Sequence, residues 1–363
     1  EFWNGLSAIF QNNLMMRRTT KLASSIAHIN GQKVVGAEAY TSEPESGRWQ
    51  EYPFALKAVG DKAFTEGINR MVIHRYAMQP HPDAAPAMTL GPWGIHFDRT
   101  NTWWEPGRAW IDYLNRCQTL LQEGLFVADF AYFTGDNIVG YTKVHRRDLN
   151  PVPPEGYDYD LMNTETLLNR AWVERGRLRL PDGMNYRVLV LQEQSHITLG
   201  LLRKLRNMVE QGLIIVGARP QQTVGLQSYS VIEEKEFEQL CDELWGKAAT
   251  TVVDRSVGKG RIFWETSLNL EQVLEKIQLR PDFEVITDSI SAPIRYIHRQ
   301  IGEADVYFVA NQQRTSKELI CNFRVKGKIP EFWNPISGER TRAMVYQTNE
   351  ETISVPVQLE AYG

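Results

Sequence analysis

Two polar residues, Glu38 and His74, stand at the C-terminal ends of two apolar segments that are predicted to be neighbouring β-strands. Glu38 lies among small residues in VVGAEAYTS, and His74 lies in VIHRY. The setting of Glu38 predicts a buried, poorly hydrated carboxylate. Catalytic groups project from the C-terminal strand ends of parallel barrels, so Glu38 is a candidate acid or base and His74 a candidate substrate ligand. A salt-bridged carboxylate and a hydrogen-bonded core histidine are the structural alternatives.

The predicted loop over residues 79–105 contains the densest polar and aromatic cluster of the chain. Indole faces stack on sugar rings, while Asp, Arg and His side chains bind hydroxyl groups, so this mixture suits a carbohydrate pocket. The predicted substrate-binding residues are His74, Tyr76, Trp93, His96, Asp98, Arg99, Trp103 and Trp104. The alternative is a packed loop in which the tryptophans serve as plugs.

Several common catalytic motifs do not occur in the sequence. No G-x-G-x-x-G follows the predicted strand at 126–133, and the chain contains neither a phosphate-binding G-K-[ST] loop nor a G-x-S-x-G elbow. Each of the cysteines lies away from the predicted strand-to-helix turns. A nucleotide cofactor is therefore not expected, and the middle of the chain is predicted to be structural.

Composition excludes further classes of function. The 363 residues are 42% hydrophobic and 23% charged, which predicts a globular protein of two to three domains. The net charge of -4 gives no basic surface for nucleic acid, and no apolar run approaches the roughly 20 residues of a membrane span. The chain begins at Glu1 without a visible signal peptide, and we interpret it as an internal piece of a larger protein.

The first 125 residues show alternating strand and helix patterns. The predicted helices cover 5–29, 53–66 and 108–123, and the predicted strands cover 33–41 and 68–76. The last of these helices is clearly amphipathic, and a Pro-, Gly- and Trp-rich loop covers 78–106. Strands that alternate with helices in this way predict βα repeats over a parallel sheet.

The rest of the chain divides into two further regions that differ in their pattern of predicted strands and helices. In residues 126–287 the predicted strands are 126–133, 186–191 and 213–217, and the predicted helices are 163–174, 197–211 and 234–246. This alternation predicts a doubly wound α/β domain. In residues 288–363 the predicted strands are 294–299, 306–311, 319–325 and 353–357. Short strands separated by turn residues predict the start of a β-sandwich.

Four segments closely resemble one run of glycoside hydrolase family 106, the α-L-rhamnosidases and related enzymes that degrade plant polysaccharides. They are VVGAEAYTS, EGINRMVIHRYAMQP, MTLGPWGIHFDRTNTWWE and RCQTLLQEGLFVADFAYFTGD. The third segment is the most specific of them. The resemblance continues in DYDLMNTETLL and EFWNPISGE, and therefore covers most of the chain.

The resemblance implies an order of domains. Residues 1–125 would form the C-terminal part of a (β/α)8 barrel, with Glu38 at the end of the seventh strand and His74 at the end of the eighth. Residues 126–287 would form a glutamine-amidotransferase-like α/β domain, and residues 288–363 an incomplete β-sandwich-like domain.

The resemblance also implies an activity, the inverting hydrolysis of terminal α-L-rhamnosyl linkages in plant polysaccharides. Inversion needs a general acid and a general base. Glu38 would be one of them, and we favour the base. The second carboxylate would come from an earlier barrel strand, upstream of this chain. Asp98 is the only in-chain substitute, and it is better suited to bind a sugar hydroxyl or calcium. Family members use a calcium ion at the substrate, but its ligands are not identifiable in this sequence.

The predicted partner is a rhamnosylated glycan, with no nucleic acid and no membrane insertion. We expect the parent protein to be periplasmic or extracellular and this chain alone to be inactive. Two other functions stay open. One is a non-catalytic carbohydrate-binding or scaffold protein built on a decayed hydrolase. The other is a β-galactosidase-like retaining glycosidase, which needs two carboxyl groups about 5 Å apart.

Overall fold

A computed structural model gives the fold. It describes residues 2–4, 19–42, 44, 49–89, 91–135, 144–192, 195–224, 231–247, 253–265, 268–286 and 294–363. The chain divides into two compact units. The first contains residues 1–24, 33–125 and 283–363, and the second contains residues 25–32 and 126–282. Both mix helices and strands, so the fold is of the mixed α/β class.

The helices follow the amphipathic segments of the sequence. They are α1 (Thr19–Ile29), α2 (Pro53–Thr65), α3 (Arg108–Leu121), α4 (Leu199–Glu210), α5 (Val231–Trp245) and α6 (Leu270–Lys276). In the part of the chain that the structure describes, no helix is long and apolar enough to cross a membrane.

The strands are short and occur along the whole chain. Up to residue 126 they are β1 (Phe2–Asn4), β2 (Gly36–Ser42), β3 (Arg70–Ile73) and β4 (Leu125–Phe126). From 130 to 264 they are β5 (Phe130–Phe133), β6 (Tyr159–Met162), β7 (Trp172–Glu174), β8 (Arg177–Arg179), β9 (Asn185–Tyr186), β10 (Val188–Gln192), β11 (His196–Ile197), β12 (Ile214–Gly217), β13 (Gln222–Thr223), β14 (Val253–Val257) and β15 (Gly260–Trp264). Beyond them lie β16 (Phe283–Ile286), β17 (Ile294–Ile301), β18 (Ala304–Asn311), β19 (Lys317–Phe323), β20 (Glu331–Trp333), β21 (Arg340–Arg342), β22 (Gln347–Thr348) and β23 (Ile353–Leu359).

In the first unit, three parallel strands form a small sheet with the order β1-β2-β3. Side chains of a strand point alternately to its two faces. In β2, Ala37 and Ala39 are buried, whereas Gly36 and Glu38 are exposed. Glu38 pairs with Val72 of β3, which is also exposed. One face of this small sheet is therefore packed on small residues, and the other, which carries Glu38, is open.

Helix α2 supports this sheet and begins with Pro53, a residue whose fixed φ suits the first turn of a helix. Its buried Phe64 packs against Phe308 of β18, with 5.7 Å between the ring centroids. Asp61 is fully buried and pairs with Lys57 Nζ at 2.6 Å, while the Tyr113 hydroxyl of α3 donates to its other oxygen. Burial raises the pKa of Asp61, and Lys57 and Tyr113 oppose that change.

The C-terminal strands of the first unit form antiparallel sheets. One has the order β16-β19-β23-β22, and β17 pairs with β18 over eight residues each. Phe283, Leu319 and Cys321 are buried on the first of these sheets, and Tyr296 and Val309 of the β17–β18 pair pack against them. The two layers therefore share an apolar core.

The second unit is built on a six-stranded sheet with the order β14-β15-β12-β10-β5-β6. All neighbouring pairs are parallel except β14–β15, which is antiparallel. The central strand β10 is buried at every position, as expected for a parallel strand covered on both faces. Thr198 caps α4 by accepting a hydrogen bond from the Leu201 amide.

A buried polar network lies in the second unit. Asp160 of β6 is fully buried and accepts hydrogen bonds from His28 Nδ1 at 3.0 Å and from the Tyr186 hydroxyl at 2.9 Å. His28 also stacks on Phe126, with 4.5 Å between the centroids. A buried carboxylate is tolerated only when it is paired and hydrogen-bonded, so this network stabilises the unit.

Most predicted elements of regular structure are present. The helices predicted at 53–66, 108–123, 197–211 and 234–246 correspond to α2, α3, α4 and α5, and the first 14 residues of the helix predicted at 5–29 (5–18) lie outside the described residues. The helix predicted at 163–174 is wrong in its second half. A π-helical turn ends at Arg170, and residues 172–174 form β7. Arg175 and Gly176 both have positive φ and make the tight hairpin turn to β8.

Candidate active site

Glu38 and His74 line one pocket on the parallel strands β2 and β3. His74 directly follows β3, as expected, but Glu38 is the third of the seven residues of β2, so its expected position at the C-terminal end of the strand is wrong, because the strand continues through Ser42. The pocket has a volume of about 330 Å³ and is lined by Gly36, Ala37, Glu38, Val72, Ile73 and His74. The His74 amide donates to the Ala39 carbonyl at 2.9 Å and extends the β2–β3 pairing by one residue. Parallel pairing therefore places the two predicted residues on neighbouring strands, with Glu38 opposite Val72 and His74 two residues further along.

The Glu38 carboxylate is exposed, so the expectation that it is buried is wrong. Its neighbours in the sequence are buried because they point to the opposite face of the strand, where Ala37 and Ala39 pack. The Thr41 hydroxyl donates to Glu38 Oε1 at 2.5 Å. Among the described residues no cation lies within ion-pair distance of this carboxylate. Glu38 is thus a hydrated carboxylate with one oxygen fixed, and it can accept a proton at the other.

Gly94 fixes the ring of His74. A Cβ at Gly94 would lie 2.4 Å from His74 Nδ1 and 2.9 Å from the His74 carbonyl oxygen, so no larger residue fits there without displacing the histidine. The φ of Gly94 is +93°, which also favours glycine. The Gly94 amide donates to the Ser42 carbonyl at 2.8 Å, and the Ile95 amide donates to the His74 carbonyl at 3.0 Å. Backbone hydrogen bonds therefore connect the loop to the ends of both strands.

Arg75, which the sequence did not single out, holds the same loop segment. Its buried guanidinium group donates from Nε to the Trp93 carbonyl at 2.9 Å and from a terminal nitrogen to the Gly91 carbonyl. Burial lowers the pKa of Arg75. Five donors in a fixed planar geometry let one arginine bind several loop carbonyls at once, so Arg75 sets the path of the loop beside His74.

Asp98 and Arg99 organise the loop from within. Asp98 is buried, and it accepts hydrogen bonds from the Thr100 amide at 2.9 Å, from the Thr100 hydroxyl at 2.5 Å and from Gln79 Nε2 at 3.2 Å. Arg99 is exposed and donates to the Gln79 carbonyl at 2.7 Å. Both predicted ligands therefore contact the loop itself, and Asp98 does not line the Glu38 pocket.

The predicted aromatic ligands group on the same loop. The rings of Tyr76 and Trp104 are 6.3 Å apart, and Phe97 packs against Trp104 at 4.9 Å and Trp103 at 5.8 Å. Tyr76 and Trp93 are exposed, whereas Trp103 and Trp104 are half-buried. Within the described residues these tryptophans are not part of the pocket lining around Glu38. They form an aromatic surface on the loop that follows β3.

A second carboxylate, Glu51, lies beneath this loop and was not predicted. Its backbone carbonyl accepts a hydrogen bond from Trp103 Nε1 at 2.8 Å, and its side chain is buried. Trp49 stacks on the buried His96 with 3.7 Å between the ring centroids. Burial lowers the pKa of His96, the Arg75 charge adds to that effect, and Asp98 opposes it. Glu51 lies in the polar run ESGRWQEYP, which gives no pattern that predicts burial.

The calcium ion implied by the family resemblance can be tested against the side chains present. Among the residues the structure describes, no three His, Cys, Asp or Glu side chains lie together so as to hold a metal ion. Both oxygens of Asp98 already accept hydrogen bonds within the loop. These residues therefore do not fit a calcium site, and calcium binding stays a prediction.

Known proteins resemble this chain in sequence and in structure. A protein of Formosa agariphila named "Putative beta-glucuronidase" is 36% identical over 360 residues, which are 99% of this chain and 28% of that protein. The solved rhamnosidase from Novosphingobium sp. PP1Y superposes with a TM-score of 0.86 at 30% identity, covering 99% of this chain and 33% of that one. The chain thus spans about a third or less of these relatives.

A more distant solved structure shares the fold alone. The GH42 β-galactosidase Gan42B superposes with a TM-score of 0.54 at 12% identity, over 86% of this chain and 50% of that one. The sequence profile of the glycoside hydrolase family described as alpha-L-rhamnosidase, number 106, matches residues 1–348. This match covers nearly the whole chain, and it agrees with the rhamnosidase superposition. The chain belongs to glycoside hydrolase family 106.

Proposed function

We propose that the chain supplies one catalytic carboxylate of a glycosidase that hydrolyses terminal α-L-rhamnosyl linkages of plant polysaccharides. The observation that carries the proposal is the pocket that Glu38 and His74 share on two adjacent parallel strands. Membership of family 106 supports glycosidase chemistry, and the rhamnosidase neighbour supports the choice of sugar. We further propose that the parent protein acts in the periplasm or outside the cell.

The proposal includes an order of domains. Residues 1–125 would be the C-terminal part of a (β/α)8 barrel, which the parallel order β1-β2-β3 supports. Residues 126–287 would be an amidotransferase-like domain, supported by the largely parallel six-stranded sheet. Residues 288–363 would begin a β-sandwich, supported by the two antiparallel layers that share a core.

Glu38 acts as the general base in this proposal. It is exposed, and the Thr41 hydroxyl fixes only one of its two oxygens. The second oxygen is thus available to take a proton from the attacking water on the face of the sugar opposite the leaving group. His74 binds a sugar hydroxyl, and the aromatic surface of Tyr76 and Trp104 packs on the glycan. The general acid belongs to a part of the protein upstream of this chain.

The test uses the completed full-length protein. An aryl α-L-rhamnoside and a rhamnose-containing pectin oligosaccharide are assayed with the parent and with Glu38→Gln, which keeps the shape of the side chain and removes its charge. Loss of a general base lowers turnover by about 10²–10⁴-fold. Glu123→Gln is the matched control, because Glu123 is exposed and its side chain lies outside the pocket. A folded Glu38→Gln protein with parental turnover would make Glu38 a structural carboxylate.

The same assay separates the rival functions. A parent that binds rhamnosides without cleaving them favours a carbohydrate-binding scaffold. Cleavage of an aryl β-glucuronide instead favours the specificity in the name of the Formosa relative. NMR of the first-formed anomer distinguishes inversion from the retention expected of a β-galactosidase-like enzyme. This chain assayed alone is expected to show no hydrolysis, because the general acid is proposed to lie outside it.

A further inference from the structure

Glu51 is buried although it is ionisable. Its side chain is 4% exposed, and both carboxylate oxygens are hidden from solvent. Within the described residues no donor reaches either oxygen with hydrogen-bond geometry, and no Lys, Arg or His nitrogen lies within 4 Å of them. A buried carboxylate without a partner is costly when it is charged and is readily accommodated when it is protonated.

Among the described residues, a hydroxyl and two backbone amides act on the Glu51 carboxyl. The Ser42 hydroxyl and the amides of Gln50 and Glu51 favour the charged form, but burial outweighs them and raises the pKa of the Glu51 carboxyl. No charged side chain of the described residues contributes to that change. Trp49, two residues before Glu51, stacks on the titratable ring of His96.

Glu51 lies where several site elements meet. Its carbonyl holds Trp103, and its side chain faces Ser42 at the end of β2. The Ser42 carbonyl in turn holds the Gly94 amide, and Gly94 packs on the His74 ring. These contacts therefore connect Glu51 to both the aromatic surface and the segment that fixes His74.

We infer that Glu51 is a positioning residue whose protonated side chain packs the segment before α2 beneath the tryptophan loop and so holds the loop in place beside His74. Ionisation of Glu51 would draw water to the carboxylate and loosen these contacts. The direction in which pH changes stability follows from the raised pKa of Glu51 in the folded state. The stabilising contribution is complete below the ordinary pKa of 4.5 and is lost as the pH rises through the raised value.

The first test needs no enzymatic activity. Trp103 Nε1–H donates to the Glu51 carbonyl, so its indole ¹H–¹⁵N resonance, assigned with Trp103→Phe, reports on the segment. In the native chain this resonance is expected to move with a midpoint above pH 4.5. It is expected to stay fixed in Glu51→Gln, which mimics the protonated acid, and to move as in the native chain in Glu123→Gln. His96 is retained in all three proteins, so its titration cannot produce the difference.

The second test is the pH profile of kcat/KM for the full-length protein, and only this readout rests on the proposed function. Glu51→Gln is expected to retain the turnover that the parent shows below the Glu51 midpoint and to keep it at the higher pH where the parent declines. A residue with a merely structural role would leave the shape of the profile unchanged.

A resonance that does not titrate in the native chain, or that titrates equally in Glu51→Gln, overturns the inference. Loss of turnover at every pH in a folded Glu51→Gln protein also overturns it, because Glu51 would then touch substrate. The resonance result stands whether or not the rhamnosidase proposal fails.

Discussion

Replacing Gly94 by alanine tests the geometry around His74 directly. The methyl group would lie 2.4 Å from His74 Nδ1, whereas ordinary contacts of a Cβ begin at 3.4 Å. The ring must therefore move by about 1 Å or the loop must shift away from it. Gly91 offers a matched control within the same loop. Its φ of +74° imposes a comparable backbone cost on alanine, but a Cβ there would meet nothing within 4 Å.

The two costs can be separated by magnitude. A left-handed backbone costs a non-glycine residue about 1–2 kcal/mol, and both variants incur this loss of stability. Only Gly94→Ala also displaces His74. A misplacement of about 1 Å in a catalytic site costs about 10²-fold in rate. We therefore expect Gly94→Ala to lower kcat/KM of the full-length protein about 100-fold, while Gly91→Ala leaves it nearly unchanged.

The assay combines urea unfolding of this chain with kcat/KM of the full-length protein toward an aryl α-L-rhamnoside. Gly94→Ala is also combined with His74→Ala, which removes the ring that the new methyl group would strike. The new methyl group would still lie 2.9 Å from the His74 carbonyl oxygen, so Gly94→Ala is expected to cost a smaller factor in the His74→Ala background than in the parent. Equal losses of activity in Gly94→Ala and Gly91→Ala would refute the reasoning, since strain would then explain the whole effect. A full further loss in the double variant would refute it as well.

Two more predictions concern stability and the thiols. His28→Ala is expected to cost about 3 kcal/mol or more because it leaves the buried Asp160 charge short of a partner, whereas Tyr186→Phe removes one hydrogen bond at about 1–3 kcal/mol. Urea unfolding measures both, and a larger cost for Tyr186→Phe would contradict the account of the network. Burial raises the pKa of each cysteine thiol to about 12. Iodoacetamide near neutral pH is therefore expected to label none of them until the chain is unfolded, and rapid labelling of the folded chain would contradict this.

The regular elements were predictable wherever one periodicity extends over several turns. Helix α3 buries Trp110, Leu114 and Cys117 at the helical spacing visible in the sequence. The hairpin β7–β8 was missed because it is only three residues per strand, and its turn at Arg175-Gly176 is no stronger as a signal than many other Xaa-Gly pairs. Strand order was beyond prediction, because pairing depends on contacts between segments that are distant in the chain.

The site was predictable in its framework and not in its contacts. Two polar residues on neighbouring parallel strands were expected to lie close together, and the pocket that Glu38 and His74 share agrees with this. The position of Glu38 within its strand did not follow from the sequence, because β2 continues through Ser42. The roles of Asp98 and Arg99 do not follow from residue type, because their partners in the loop, Gln79 and Thr100, become neighbours only through the loop fold. The assignment of these residues as sugar ligands stays a prediction.

The two carboxylates show why local composition misleads about burial. Glu38 lies in an apolar run and is exposed, because a strand directs alternate side chains to opposite faces and Ala37 and Ala39 occupy the packed one. Glu51 lies in a polar run and is buried, because Pro53 starts α2 and Trp103 binds the backbone just before it. Carboxyl groups with such different environments are suited to different tasks. We propose that the hydrated Glu38 takes a proton from water, and that the enclosed Glu51 holds its own proton and keeps the loop in place.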